Sequence, residues 1–304
     1  MKKVFPLMQR EWMQHRFGWA WLALLPLALA LFAVGFAQIE FSGEAAERVG
    51  EALPALLTLG SIVGSTFVVF MILSITSLMV VVSLARRDQP DRSIEFWLSL
   101  PVSHSQSLAV PLLVHLLLAP AVALLVGLLG GYVISLVLVG RFVGIAAWLS
   151  LPWMEMIIAT SMVAARLLAG LPLAVLWLLP LVLLFVLASA VFKRWGVPVV
   201  ALGLGLGAAL LDRLLGQPWL SETVGTIGLN AATSLISASG KGFRIGHGQD
   251  VYEALQGLPA WAMSDFAAAL HNLASPVFVG GLVFSALCFA GLVLWRQRGA
   301  TQVV

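Results

Sequence analysis

A single cysteine in 304 residues, Cys288, excludes an intrachain disulfide, so cysteine usage says nothing about redox compartment. Charge is scarce as well. Asp, Glu, Lys and Arg make up 10% of the chain against 61% hydrophobic residues, far too little charge to cover a soluble globule of this size. The polar–apolar alternation of a barrel strand is missing too: the apolar runs are continuous and long enough for helical spans of about 20 residues. No stretch fits the phosphate loop Gly-x-x-x-x-Gly-Lys-Ser/Thr, because Gly240-Lys241 has Leu235 where the leading glycine belongs and Gly242 where the hydroxyl belongs. A nucleotide site within this chain is therefore not expected. The absence of His-Glu-x-x-His and of zinc-spaced Cys/His clusters argues against a membrane metalloprotease. A pI near 9.4 is no nucleic-acid footprint here, since the basic residues cluster at the ends of apolar runs.

What is present is a charged island. Six of the 31 charged side chains fall between Arg86 and Glu95, flanked by two of the longest apolar runs. Pro90 suits a first helical position and Asp91 puts negative charge in the first turn. Ile94, Trp97 and Leu98 then recur at helical spacing until Pro101 stops the helix. Ser103-His104-Ser105-Gln106 has capping-box spacing and predicts that the next helix starts at once. On spacing alone, a tight turn with Phe96 and Trp97 anchored at the interface fits as well as a short helix between two spans.

The rest of the chain arranges itself around that island. Residues 1–16 are basic and moderately amphipathic and are expected to lie in the membrane interface, with Phe5, Met8 and Trp12 on one face. A first span follows at 17–37; a cleaved signal peptide is the competing reading, but 21 apolar residues are long for one. Further spans are expected at 55–85, 105–139, 171–192, 196–211 and 276–295. Trp148, Pro152, Trp153, Glu155 and Arg166 interrupt 142–170, read as an interfacial helix, with a tilted or re-entrant segment as the alternative. Residues 216–275 form an extracytoplasmic lobe of short helices, the longest polar region. The expected fold is thus an all-α integral membrane protein with six transmembrane helices. Residues 86–104 form its coupling region between spans two and three.

Orientation follows from the basic residues. The side holding both termini, the island and Lys193-Arg194 carries 11 Lys and Arg, the other side 6, so both termini are expected to be cytoplasmic. The expected spans contain no Asp, Glu, Lys or Arg, which weakens a proton-driven carrier. His115, their one histidine, reads as a hydrogen-bonded packing residue before a functional one. His247, Asp250, Glu253, Asp265 and His271 are irregularly spaced and read as a solvated lobe before a metal site. Most tryptophans fall near expected span ends, where amphipathic rings anchor. The small-residue runs 60–65 and 203–207 favour close helix packing.

Several stretches carry a family likeness. Arg10-Glu11-Trp12 with His15-Arg16 and Pro26, the run Asp91-Arg92-Ser93-Ile94-Glu95-Phe96-Trp97-Leu98-Ser99-Leu100-Pro101, and Leu176-Trp177-Leu178-Leu179-Pro180 leading to Phe192-Lys193-Arg194 together resemble the membrane subunit of an ATP-binding cassette exporter of the ABC-2 permease type. The likeness covers the chain to about Leu215, and 216–275 has no counterpart in it. It implies a permease of the cytoplasmic (inner) membrane that is not an enzyme by itself, paired with a second copy or a paralogous permease. Two separate ABC ATPase subunits would bind ATP and Mg on the cytoplasmic face. It further implies that Asp91, Arg92, Ile94, Glu95, Phe96, Trp97 and Leu98 form a coupling helix seated on the ATPase, and that spans two and five line a path at the dimer interface. A stand-alone secondary carrier, a non-transporting scaffold and an intramembrane enzyme are the alternatives; for the last, no motif places a nucleophile beside a base.

Overall fold

Long uninterrupted apolar runs can satisfy their backbone only internally, and the computed structural model shows helices alone among the residues it describes, 4–36, 50–87, 103–240 and 251–301. In order they are α1 (Val4–Phe36), α2 (Leu53–Arg87), α3 (His104–Leu113), α4 (Ala119–Val139), α5 (Ile145–Leu149), α6 (Trp153–Phe192), α7 (Gly196–Leu215), α8 (Trp219–Leu235), α9 (Val251–Gln256), α10 (Leu258–Asn272) and α11 (Pro276–Thr301). Five stretches, Phe5–Phe36, Leu53–Leu84, Ser105–Leu149, Trp153–Leu215 and Pro276–Gln297, are long and apolar enough to cross a membrane, as befits a multi-pass helical membrane protein.

Several expected boundaries dissolve into longer helices. The interfacial segment and first span are one helix, α1, whose early residue Leu7 is buried against Val110 and Val114. Likewise α6 runs unbroken for 40 residues through the expected boundary at 170, with Pro172 and Pro180 inside it. The third expected span is built from α3 and α4 joined by a π-turn at Val114–Leu118. Ser103 does cap α3, its hydroxyl accepting from the Gln106 N–H at 3.3 Å.

Packing defines two ends. At the proximal end, Leu84 of α2, Leu108 of α3, Ala190 of α6 and Leu292 of α11 share one buried cluster, and Arg296 donates to the Ser107 hydroxyl at 2.8 Å. At the distal end, Ala55, Met156, Leu255 and Leu258 gather α2, α6, α9 and α10. Arg141, just after α4, donates to the Gly35 carbonyl of α1 on the distal side.

Between the ends, α2 and α4 are the most closely joined helices. A Cβ on Gly127 would stand 2.6 Å from Thr66 Cα, and one on Gly131 2.4 Å from Ile62 Cα, so both positions require glycine. Ser65 adds a hydrogen bond of 2.8 Å to the Gly127 carbonyl. Of the two small-residue runs expected to mediate contact, 60–65 does so through Ser61, Ile62 and Ser65, whereas its Gly60 and Gly64, and Gly203 and Gly205 of the second run, face open space.

The fifth expected span, 196–211, falls in α7, whose only buried residue is Gly196, tucked against Ser189. The helix packed along α6 is instead α8, running antiparallel to it. Ile227 and Ala231 cluster with Trp177, while the Ser234 and Leu235 carbonyls reach Arg166. Then α11 runs parallel to α6, with Phe278 beside Trp177 and Leu292 beside Ala190.

Candidate functional site

The coupling residues Asp91, Arg92, Ile94, Glu95, Phe96, Trp97 and Leu98 lie outside the described residues. Their frame is visible. Helix α2 ends and α3 begins on either side of 88–102, and both pack at the proximal end. Arg10 and Glu11 of α1, Leu84, Ser107, Pro111 and Arg296 surround a small pocket there, so α1, α2, α3 and α11 converge on one spot.

Directly beside that pocket sits an ionisable cluster that the sequence reading did not assemble. The π-turn opens α3 by one residue, Ala119 N–H reaching back to the Val114 carbonyl, and His115 sits in the widened turn. His115 is 0% exposed, and its Nε2 lies 3.3 Å from Oε2 of Glu11, itself 2% exposed. One helical turn further along α1, His15 Nε2 stands 3.8 Å from the same oxygen, with its side chain 26% exposed. Trp19 closes the group, stacked on His15 at 5.7 Å and edge-on to His115 at 5.3 Å. The His115 Nδ1 atom is buried without a hydrogen-bond partner. So His115 is hydrogen-bonded, as expected, but to a carboxylate rather than to neutral packing partners. The usable signal was the acid–imidazole pair Glu11 and His15 at i, i+4 on a long apolar helix.

Of the distal group read as a solvated lobe, Asp265 is the member that the structure places otherwise. His247 and Asp250, and the Glu253 side chain, lie outside the described residues; His271 is exposed at the end of α10. Asp265 is fully buried and paired with Arg166 of α6, the Arg166 Nη2 and Nε donating to Oδ2 at 2.7 and 3.1 Å. Arg166 Nη1 also donates to the Ser234 carbonyl at 2.9 Å. Asp265 further accepts from the Ser237 N–H, the Ser239 N–H and the Ser239 hydroxyl. Burial pushes the Asp265 carboxyl up, but the hydrogen bonds from Ser239 and Arg166, with the guanidinium charge, hold it below the usual Asp range. Gly170 leaves room for this crossing: a Cβ there would stand 2.2 Å from the Ser234 carbonyl oxygen. Every oxygen and nitrogen aimed at this clamp is satisfied, which marks it as a structural joint binding α6, α8 and α10. Against family models, curated proteins and solved structures, the chain finds no match.

Proposed function

We propose that this chain is the permease subunit of an ATP-driven ABC exporter of the ABC-2 type. It works as a dimer in the cytoplasmic membrane with two cytoplasmic ATPase subunits. The observation that carries the reading is the α2–α4 pair. Backbone contact at Gly127 and Gly131 makes two long helices into one rigid antiparallel unit, and the segment 88–102 joins α2 to the α3–α4 arm at the proximal end. A short helix held in that position acts on a lever, so closure of an ATPase dimer beneath it is converted into movement of the spans.

Charge supports the orientation. The proximal end gathers the basic N-terminal segment, the island and the C-terminal Arg296, which the positive-inside rule assigns to the cytoplasm. In this reading six helices cross, with α8 rather than α7 as the fifth. The resemblance places the substrate path along the second and fifth spans. Of these, α2 leaves a long apolar stripe uncovered at Val63, Phe67, Ile75 and Met79, open to lipid or to a second copy.

A soluble ABC ATPase encoded beside this chain should co-purify with it and hydrolyse ATP in lipid nanodiscs. Trp97→Ala should weaken that docking by roughly 2 kcal/mol, as loss of a central aromatic anchor does. Unchanged co-purification and unchanged ATPase stimulation in this variant would remove the coupling assignment. One observation favours a second reading, a proton-coupled carrier: Glu11 and His115 place an ionisable pair inside the bundle. Transport that persists without ATP and collapses with the proton gradient would decide for it.

A further inference from the structure

We propose that Glu11, His15 and His115 form a binding site for a divalent transition-metal ion of the zinc class, clasping α1 to the π-turn between α3 and α4. The donor set is one carboxylate and two imidazoles, and one ligand atom from each lies within 4.8 Å of the others. Ligand atoms held about 2.0–2.2 Å from a tetrahedral zinc ion stand roughly 3.3–3.6 Å from one another. The Glu11–His115 separation of 3.3 Å already matches, and the Glu11–His15 separation of 3.8 Å is a small ring rotation away. His15, at 26%, is the most exposed of the three, so it is the member that must close the remaining gap.

The surroundings suit a preformed site. Glu11 and His15 occupy i and i+4 on α1 and project from one face, while the π-turn delivers His115 from the facing helix. Trp19 contacts both imidazole rings and forms one wall of the site. Three protein ligands leave one tetrahedral position for water or for an exchanging ligand. Imidazole and carboxylate together suit zinc and its neighbours rather than calcium or magnesium, which take oxygen ligands. The site does not depend on an ATPase partner.

The test uses the full chain, purified in detergent and stripped with a chelator, then titrated with Zn²⁺ against a chromophoric competitor. The wild-type chain should bind one zinc ion tightly, with Glu11→Gln and His115→Gln each weakening it by about 100-fold or more. His15→Gln should weaken it by at least about 10-fold. His271→Gln, on the exposed end of α10, should leave binding unchanged. Co²⁺ should give a visible absorption band in the wild type that His15→Gln abolishes. If the buried His115 variant fails to fold, the His15 variant decides alone. Failure of the wild-type chain to bind zinc, or equal affinity in wild type and His15→Gln, would show that the cluster is only a hydrogen-bonded packing contact.

Discussion

Asp265 and Arg166 come from positions 99 residues apart, and their pairing is worth most to the fold when both are charged. Asp265→Asn leaves a buried guanidinium without its counter-charge and should destabilise the protein by about 3–5 kcal/mol. Thermal unfolding in detergent measures this, and replacing both residues by apolar ones of similar volume should recover most of the loss. The sign of the pH dependence follows from the lowered Asp265 pKa. A depressed carboxylate stabilises the fold above the ordinary Asp range and loses that contribution as pH falls through its folded value. The wild-type advantage over Asp265→Asn should therefore hold at neutral pH and shrink only below about pH 4. Guanidinium, serine hydroxyl and backbone N–H groups surround the carboxylate, and among the described residues no second acid is hydrogen-bonded to it. None of this was readable beforehand: in a polar stretch, an acid looks solvated until a residue from another helix meets it. Ser237, held at φ 76 with its N–H on Asp265, shows how tightly that carboxylate organises the turn after α8.

Among the elements, the close approach of α2 and α4 invites a direct comparison. Gly131→Leu drives a side chain into the backbone at Ile62 and should cost about 1–3 kcal/mol or prevent folding altogether. Gly64→Leu, facing open space on α2, should be well tolerated. Parallel stability measurements on the two variants separate packing from composition. The fates of α7 and α8 make the same distinction. Composition favours α7, a glycine-rich apolar run, over α8, which carries Glu222, Asn230 and several hydroxyls. Packing favours α8 beside α6, because its Ile227 and Ala231 fit beside Trp177 and its C-terminal carbonyls cap the Arg166 guanidinium. Gln217 lies ten residues before Ile227, about 15 Å toward the proximal end along an antiparallel helix. In a chain with Cys288→Ser, a cysteine at Gln217 should react with an impermeant maleimide from the cytoplasmic side, and labelling from outside would restore α7 as the crossing helix. Long apolar runs and the Ser103 cap were legible because they are local. The partner of each face was not, because it depends on helices far away in sequence.

On the scale of the whole molecule, α6 has the dimensions that set the rest. Forty residues span about 60 Å, roughly twice the hydrocarbon thickness, so a good part of it stands clear of the membrane. Its distal third carries Met156 and Ala159, onto which α9 and α10 pack through Leu255 and Leu258. Helices α9 and α10 are thus mounted on a mast rather than hung from loops, and α10 is fastened to that mast by Asp265. If the chain exports its cargo as proposed, loosening the mast should uncouple release from hydrolysis. Asp265→Asn, assayed in nanodiscs at a temperature where it remains folded, should keep ATPase stimulation while transport falls. Equal loss of both would instead place the clamp on the path between ATPase and spans. The proximal and distal ends differ accordingly. The proximal end gathers helix ends around an ionisable pocket, whereas the distal end is locked by a saturated ion pair.

The Glu11–His115 contact joins residues 104 positions apart, and that distance is also an interval of time. At ribosomal rates of about 5–20 residues per second, Glu11 is made some 5–20 s before His115 exists. Through that wait Glu11 has Arg10, His15 and Arg16 near it in sequence, but not the imidazole that meets it in the finished bundle. The contact between α1 and the π-turn forms only once His115 arrives, and a nascent chain stopped before His115 should hold α1 less firmly than the finished protein does.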